Sequence, residues 1–177
     1  MAEAAQIILP QGKYRDQLLT ADGSCIDYGW RGNIIVDQCR QLLAGFMKGE
    51  TVAGVQYIAL GRGETSWDET PPAPPQMSTQ SLVDTAPETI AVSDAEMSID
   101  FVDSSGVVSA APSNRIQISI TVAGSNLPIV GDETFPLREF GLFGQLAPDD
   151  YMIDYVRHPV IHIGVADTLV RRVKLVF

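Results

Sequence analysis

The chain has 177 residues, 45% hydrophobic and 19% charged, and these proportions indicate one folded domain rather than a disordered chain. Its 22 acidic and 12 basic residues give a formal net charge of −10, which opposes binding to phosphate backbones, so we expect no nucleic-acid partner. Two cysteines are too few for a disulfide framework. Apolar runs fall short of the roughly 20 residues of a membrane helix. We therefore expect a soluble chain with no membrane partner and no export signal of its own.

Residues 1–31 are predicted to form an N-terminal arm in front of a single β-rich domain, residues 32–177. The apolar triplet at the start of this arm precedes Pro10 and is a candidate short strand. Such a strand either adds to the sheet edge of a neighbour or, more commonly, is the first strand of its own sheet. On the first alternative, the candidate partner-contact residues are Ile7, Ile8 and Leu9.

Residues 33–48 are predicted to form a helix. Asn33 is the expected N-cap, and Lys48-Gly49 is typical of a helix C-terminus. Apolar residues recur at the helical period and are expected to pack on a flat apolar surface. They are Ile35, Cys39, Leu42 and Phe46, with Ile34, Leu43 and Met47 beside them. The pattern predicts an amphipathic helix, and Cys39 is expected to be a buried core thiol.

A strand at 54–61 is followed by a proline-rich excursion at about 62–94. Within it, four prolines in five residues favour an extended polyproline conformation, and a long surface segment of this kind commonly serves binding or assembly. Trp67 beside this stiff segment either docks into a neighbouring subunit or folds back over its own sheet, and both alternatives stay open. The candidate partner-contact residues here are Trp67, Pro71, Pro72, Pro74 and Pro75.

Residues 95–177 are predicted to be β throughout. The clearest strand is 115–123, where isoleucine and valine alternate strictly with polar residues. Short connections favour antiparallel pairing. The predicted fold is therefore mainly β (α+β): an antiparallel β-sandwich with one N-terminal amphipathic helix and extended arms. The other predicted strands lie at 96–102, 107–110, 137–143, 151–156 and 169–177.

The motifs that suggest chemistry are weak. Gly61-Arg62-Gly63 lacks the third glycine and the helix of a dinucleotide-binding loop. His158 and His162 are expected to be surface or hydrogen-bonded residues, because in extended chain they share a face but lie about 13 Å apart. Acidic pairs such as Asp149-Asp150 arise by chance among 22 acidic residues. We therefore predict no catalytic residues, no cofactor and no metal site, and we do not expect an enzyme.

The order of several short segments resembles a known family. The chain is similar to the virion-attachment domain at the N-terminus of bacteriophage tail fibres, and to small structural proteins of phage tails and contractile injection systems. The similarity covers roughly residues 30–70 and 135–177. The segments that carry it are Gly32-Asn33-Ile34-Ile35-Val36, Tyr57-Ile58-Ala59-Leu60-Gly61-Arg62-Gly63, Leu137-Arg138-Glu139-Phe140-Gly141-Leu142-Phe143-Gly144, Met152-Ile153-Asp154-Tyr155 and Asp167-Thr168-Leu169.

This resemblance implies a non-enzymatic structural subunit, a baseplate or tail-fibre attachment adaptor, made in the host bacterial cytoplasm and located in the virion. Its expected partners are other virion structural proteins and copies of itself, in a homo-oligomer within a larger assembly. Fibre proteins continue into a shaft and a receptor-binding tip, so we expect an adaptor rather than a complete fibre. Two alternatives stay open: a neck, collar or capsid decoration protein, and a carbohydrate-binding β-domain for which Trp30 and Trp67 supply aromatic surfaces.

Overall fold

The computed structural model describes residues 10–129 and 133–177. Among these residues, no helix has the length and apolar character needed to cross a membrane. The helix and the strands are, in chain order, β1 (Gln11–Leu19), β2 (Cys25–Gly32), β3 (Ile34–Ile35), α1 (Asp37–Lys48), β4 (Val52–Gly61), β5 (Glu88–Ala91), β6 (Met97–Phe101), β7 (Arg115–Ala123), β8 (Phe135–Leu146), β9 (Asp149–Ile163) and β10 (Thr168–Val176).

The described residues form two five-stranded sheets. Sheet A has the strand order β2-β1-β10-β7-β6 and sheet B the order β3-β9-β8-β4-β5, and all neighbouring strands are antiparallel. Side chains of both sheets, such as Ile118 and Ile120 of sheet A and Phe140 and Leu142 of sheet B, join in one apolar core. The expectation of a mainly β fold built from antiparallel strands is confirmed, and two sheets that share one core make a β-sandwich.

The predicted strands agree best with the structure where polar and apolar residues alternate. The strand at 115–123 is formed as β7, with Ile118 and Ile120 buried. The strands predicted at 54–61, 96–102, 137–143, 151–156 and 169–177 are present with shifted ends, and β9 is the longest at 15 residues. The predicted strand at 107–110 is not formed, because only a single bridge joins Val108 to Val102.

The expectation of an arm over residues 1–31 is corrected for residues 11–31. These residues form β1 and β2, and β1 lies inside sheet A between β2 and β10. Tyr14 and Leu18 of β1 point into the core, but the buried residue between them is Asp16, which interrupts the apolar alternation. An aspartate at a core position concealed this strand from the sequence pattern. Ile7, Ile8 and Leu9 lie outside the described residues.

The predicted helix begins later than expected. Ile34 and Ile35 form β3 and pair with Tyr155 and Asp154 of β9, so α1 begins at Asp37. Asn33 is therefore not the N-cap, and its side-chain amide donates a hydrogen bond to Asp154 instead. The helix ends as predicted, at a glycine with positive φ: Gly49 has φ 83° and donates its backbone N–H to Phe46 O at 3.1 Å.

The excursion at 62–94 is in part fixed to sheet B. Its last residues include β5, an edge strand paired with β4. Leu82 is buried in a small cluster on the outer face of sheet B. The fully buried carboxylate of Glu139 accepts the backbone N–H groups of Val83 at 3.1 Å and Asp84 at 2.7 Å, and also the hydroxyl of Tyr155. Because these three donors satisfy Glu139, this part of the segment covers sheet B as an ordered layer.

Candidate functional site

Helix α1 presents apolar residues on two sides. Cys39 and Leu42 are buried against the sandwich core. Leu43, Phe46 and Met47 lie on another side of the helix, and their exposed fractions are 41%, 68% and 83%. The expectation that all of them pack on the sheet is therefore wrong, because the end of the sandwich accommodates only part of the apolar arc. We call these three residues together with the adjoining groove the apolar end surface.

The groove of the apolar end surface has a volume of about 320 Å³. It lies between α1 and the ends of strands from both sheets, and its walls include Phe46, Val55, Ile116 and the 42% exposed Phe177. The thiol of Cys39 lies at this groove, and burial, with the charge of Asp154, raises the pKa of Cys39 to about 11. A thiol with this pKa stays protonated at neutral pH, so the groove offers an apolar surface and no nucleophile.

A cluster of charged and polar groups lies inside the sandwich. The Arg171 guanidinium of β10 donates to both carboxylate oxygens of Asp16, at 2.6 and 2.8 Å, and its Cζ atom lies 3.8 Å from the ring centre of Phe140. The same guanidinium lies 3.2 Å from Nε2 of His158 in sheet B. Burial and the charge of Arg171 lower the pKa of His158 to about 4, so Nε2 of the neutral ring accepts this hydrogen bond.

Asp154 is buried in the same part of the sandwich as Arg171. Its carboxylate accepts hydrogen bonds from the Asn33 amide and from the backbone N–H of Leu142, the latter at 3.1 Å. Burial raises the pKa of Asp154 to about 7 despite these bonds and the charge of Arg171. Asp154, His158 and Arg171 are each at most 2% exposed. Solvent and substrates do not reach groups buried to this degree, so the cluster joins the two sheets rather than forming an open active site.

Contrary to the expectation from the sequence, the two histidines do not lie on one face of the strand. Leu137 of β8 pairs with Ile161, but Glu139 pairs with Arg157, so β9 has extra residues at this point and its side chains change sides. His158 is therefore buried while His162 is exposed, with Nδ1 2.8 Å from the Thr134 hydroxyl. Within residues 10–129 and 133–177, no group of three or more His, Cys, Asp or Glu residues is arranged to hold a metal ion.

Trp67 folds back onto its own chain, which is the second of the two alternatives that the sequence left open. It lies in a 3-10 turn, is only 8% exposed, and the Arg157 guanidinium is 5.2 Å from its ring centre. Gly63, with φ 54°, lets the backbone approach the ring, because a Cβ at that position would come within 2.5 Å of it. The ion pair of Arg138 and Asp68, at 2.6 Å, closes the turn. Little of Trp67 remains for a neighbour to contact.

The proline segment remains accessible. Pro71 and Pro74 are exposed, whereas Pro72 and Pro75 are half-buried. Two residues after the last proline, Met77 accepts the backbone N–H of Asp37 at 2.8 Å, which fixes the segment to the start of α1. That the four prolines contact a partner remains a prediction.

The exposure of Leu43, Phe46 and Met47 was not predicted from the sequence. The signal that points to it is the breadth of the apolar arc, since one helix face cannot bury every apolar residue from Ile34 to Met47. A scan against protein-family models finds no match for the chain. Searches of curated proteins and of solved structures find no match either. Function therefore has to follow from the surfaces that the fold exposes and the groups that it buries.

Proposed function

We propose that this protein is a non-enzymatic structural subunit of a phage tail or tail-like particle, a baseplate or tail-fibre attachment adaptor that works through subunit–subunit contacts. The apolar end surface is the observation that carries the proposal. Three large apolar side chains beside an apolar groove are typical of a surface that a partner protein covers. The phage-tail assignment within this proposal is supported by the resemblance of the chain segments.

We take α1 as an N-terminal amphipathic helix with two roles. One side packs against the core of the sandwich, and the apolar end surface binds a neighbouring subunit. Burying Phe46 and Met47 fully stabilises a complex by roughly 1.5–3 kcal/mol for each side chain. Part of this free energy offsets the lost freedom of association, so further contacts are needed for a stable interface. The exposed Pro71 and Pro74 are candidates for such contacts.

The placement of the titratable groups supports a structural role. Asp154 and His158, which have the side-chain chemistry of general acids and bases, are closed inside the sandwich. The Cys39 thiol, with its pKa raised to about 11, is a weak nucleophile at neutral pH. These groups serve the packing of the sheets, and the exposed surfaces are left for function.

The proposed location is the virion, after synthesis in the host bacterial cytoplasm, with copies of this chain and other virion structural proteins as partners. A neck, collar or capsid decoration protein has the same surfaces and differs only in its partner. A carbohydrate-binding domain is the second alternative, and the 39% exposed Trp30 supports it. A glycan array separates this second alternative from the other two.

Incorporation into particles tests the proposal. In the organism that produces the chain, Phe46→Gln combined with Met47→Gln replaces the two most exposed side chains of the apolar end surface while keeping helix-forming residues. Ala44→Gln, at an exposed position of the same helix, is the matched control. Mass spectrometry of purified particles is expected to find the wild-type and control chains in fixed ratio to other subunits and the double variant strongly depleted. The thermal unfolding of the purified double variant should match that of the wild type.

A double variant that enters particles as well as the wild type would refute the role of this surface. Particles that contain no wild-type chain would refute the proposed function as a whole.

A further inference from the structure

The outer face of sheet A carries an unusual arrangement of charge. In the register of β1 and β10, Lys13 lies directly opposite Lys174, and Arg15 lies directly opposite Arg172. Like charges in directly opposed positions destabilise a sheet. The chain has a net charge of −10 and only 12 basic residues, yet it places four of them side by side. Such a costly arrangement indicates a use outside the fold itself.

An exposed tryptophan completes this surface. Trp30 of β2 lies opposite Arg15 in the sheet and is 39% exposed. The Nζ atoms of Lys13 and Lys174 lie 5.0 and 5.2 Å from its ring centre. Tryptophan and arginine are enriched in protein interfaces, and this surface holds Trp30 with Arg15 and Arg172. We call Lys13, Arg15, Trp30, Arg172 and Lys174 the basic–Trp patch.

The chain neutralises this patch only in part. Asp27 forms an ion pair with Arg15, with Nε of the arginine 3.0 Å from the carboxylate. No carboxylate of the described residues lies within ion-pair distance of the other three cations. Burial and the charges of Lys13 and Arg172 lower the pKa of Lys174. The patch thus retains an excess of positive charge that an anionic partner would relieve.

The complementary surface lies on the same molecule. A groove of about 340 Å³ between β5 and the start of β6 has Glu88, Asp94 and Glu96 in its wall. Asn126 donates to Glu96 at 3.4 Å, but no cation of the described residues forms an ion pair with any of the three carboxylates. We call this the acidic groove. It lies beside β6, at the opposite edge of sheet A from β2.

We propose that the basic–Trp patch of one copy docks against the acidic groove of a second copy. This inference rests on the proposed function, and it identifies a second copy of the chain as the partner that binds the basic–Trp patch. Patch and groove are different surfaces, the patch on β2, β1 and β10 and the groove beside β6, so each docked copy leaves one of them free. Contacts of this head-to-tail kind close into rings or continue as filaments. Charge complementarity determines how the two copies are aligned, and apolar packing elsewhere increases the affinity of the contact.

Sedimentation velocity of the full chain tests this contact. From about 0.01 M to about 1 M salt the screening length falls from about 30 to about 3 Å, so self-association is expected to weaken steeply. Arg172→Glu in the patch and Glu88→Lys in the groove should each weaken self-association at low salt at least about tenfold. Lys48→Glu and Glu69→Lys, which make the same charge changes at exposed positions elsewhere, should leave it unchanged.

Mixing the two variants gives the sharpest result. The reversed patch of Arg172→Glu meets the reversed groove of Glu88→Lys with opposite charge again, so an equimolar mixture should associate within about threefold of the wild type. A wild-type chain that stays monomeric at low salt overturns the inference. Failure of the mixture to associate overturns it as well.

Three further outcomes separate a failure of this inference from a failure of the proposed function. If the monomeric wild type binds a sulfated oligosaccharide and Arg172→Glu does not, the patch serves an anionic polymer, and docking between copies is refuted. If Arg172→Glu enters particles as the wild type does and in the same copy number, only this inference fails. Self-association without any chain in particles contradicts the proposed function and leaves the docking contact standing.

Discussion

The two sides of β10 show how one short basic run serves two purposes. Arg171 and Arg172 are neighbours in the chain, but successive side chains of a strand point to opposite faces. Arg171 is completely buried and bonded to Asp16 and His158, whereas Arg172 lies on the outer face opposite Arg15. The inner arginine is part of the fold, and the outer one belongs to the basic–Trp patch. Position relative to the sheet, not residue type, decides the role.

Substitutions on the inner side of β10 are expected to change the free energy of unfolding more than substitutions on the outer side. A buried ion pair contributes little net stability compared with apolar residues of the same volume, because both charges lose their hydration. Removing one partner is costly, because the other charge is left unpaired in the core. The guanidinium also reaches from sheet A to His158 of sheet B, so the pair helps to set how the two sheets face each other.

The largest expected effect is therefore on the inner side. Arg171→Leu should lower the free energy of unfolding by about 3–5 kcal/mol, because Asp16 then stays buried without its partner. Chemical denaturation followed by tryptophan fluorescence measures this change. The control is the double variant Asp16→Leu with Arg171→Met, which should regain most of the loss. A change below about 1 kcal/mol in Arg171→Leu would contradict the role given to the pair.

The second prediction concerns the pH dependence of stability that arises from the buried Asp154. The pKa of Asp154 is about 7 in the folded protein and about 4 in the unfolded chain, so the folded state holds the proton more tightly. Its contribution to stability is complete below pH 4 and is lost as the pH rises through 7. Relative to Asp154→Asn, the wild type should lose up to about 1.4 kcal/mol of unfolding free energy per pH unit between these limits.

Urea denaturation of both proteins from pH 4 to pH 8 measures this difference. His158 titrates in the opposite sense: its pKa is lowered to about 4, so its contribution is lost as the pH falls below about 6.5. Both proteins carry His158, so this effect cancels in the comparison. Asn33 can rotate its amide to present its unpaired oxygen to the new residue, so the variant should fold. Parallel pH profiles would show that Asp154 is ionised throughout.

The smallest effect is expected on the outer side. Arg172→Gln should change the free energy of unfolding by no more than about 0.5 kcal/mol, and the sign should be stabilising because repulsion with Arg15 is relieved. The same denaturation measurement applies, so the two arginines are compared directly. If Arg172→Gln loses as much free energy of unfolding as Arg171→Leu, the distinction between the two sides of β10 is wrong.

Much of the β architecture follows from the sequence, because alternation is a local signal. The strand at 115–123 and the antiparallel arrangement were both predictable, since each core residue there is apolar. The strand β1 was not, because one of its core positions is Asp16 and its partner Arg171 is 155 residues away. A pattern of apolar residues cannot identify a core position occupied by half of an ion pair.

The surfaces were harder to predict than the strands. Assigning Leu43, Phe46 and Met47 to exposed positions requires knowing how much of α1 the sandwich end covers, which only tertiary packing decides. The basic–Trp patch likewise joins Lys13 and Lys174, which strand pairing alone brings together. Trp67 shows the opposite case: a residue that suggests a contact is covered by the chain's own Arg157.

The most direct test of the central claim is electron cryomicroscopy of purified particles from the organism that produces the chain. The account predicts density for the two-sheet domain in the particle, with Phe46 and Met47 of α1 covered by a neighbouring subunit. Particles in which this domain is present but the outer side of α1 faces solvent, or in which the domain is absent, would contradict the claim.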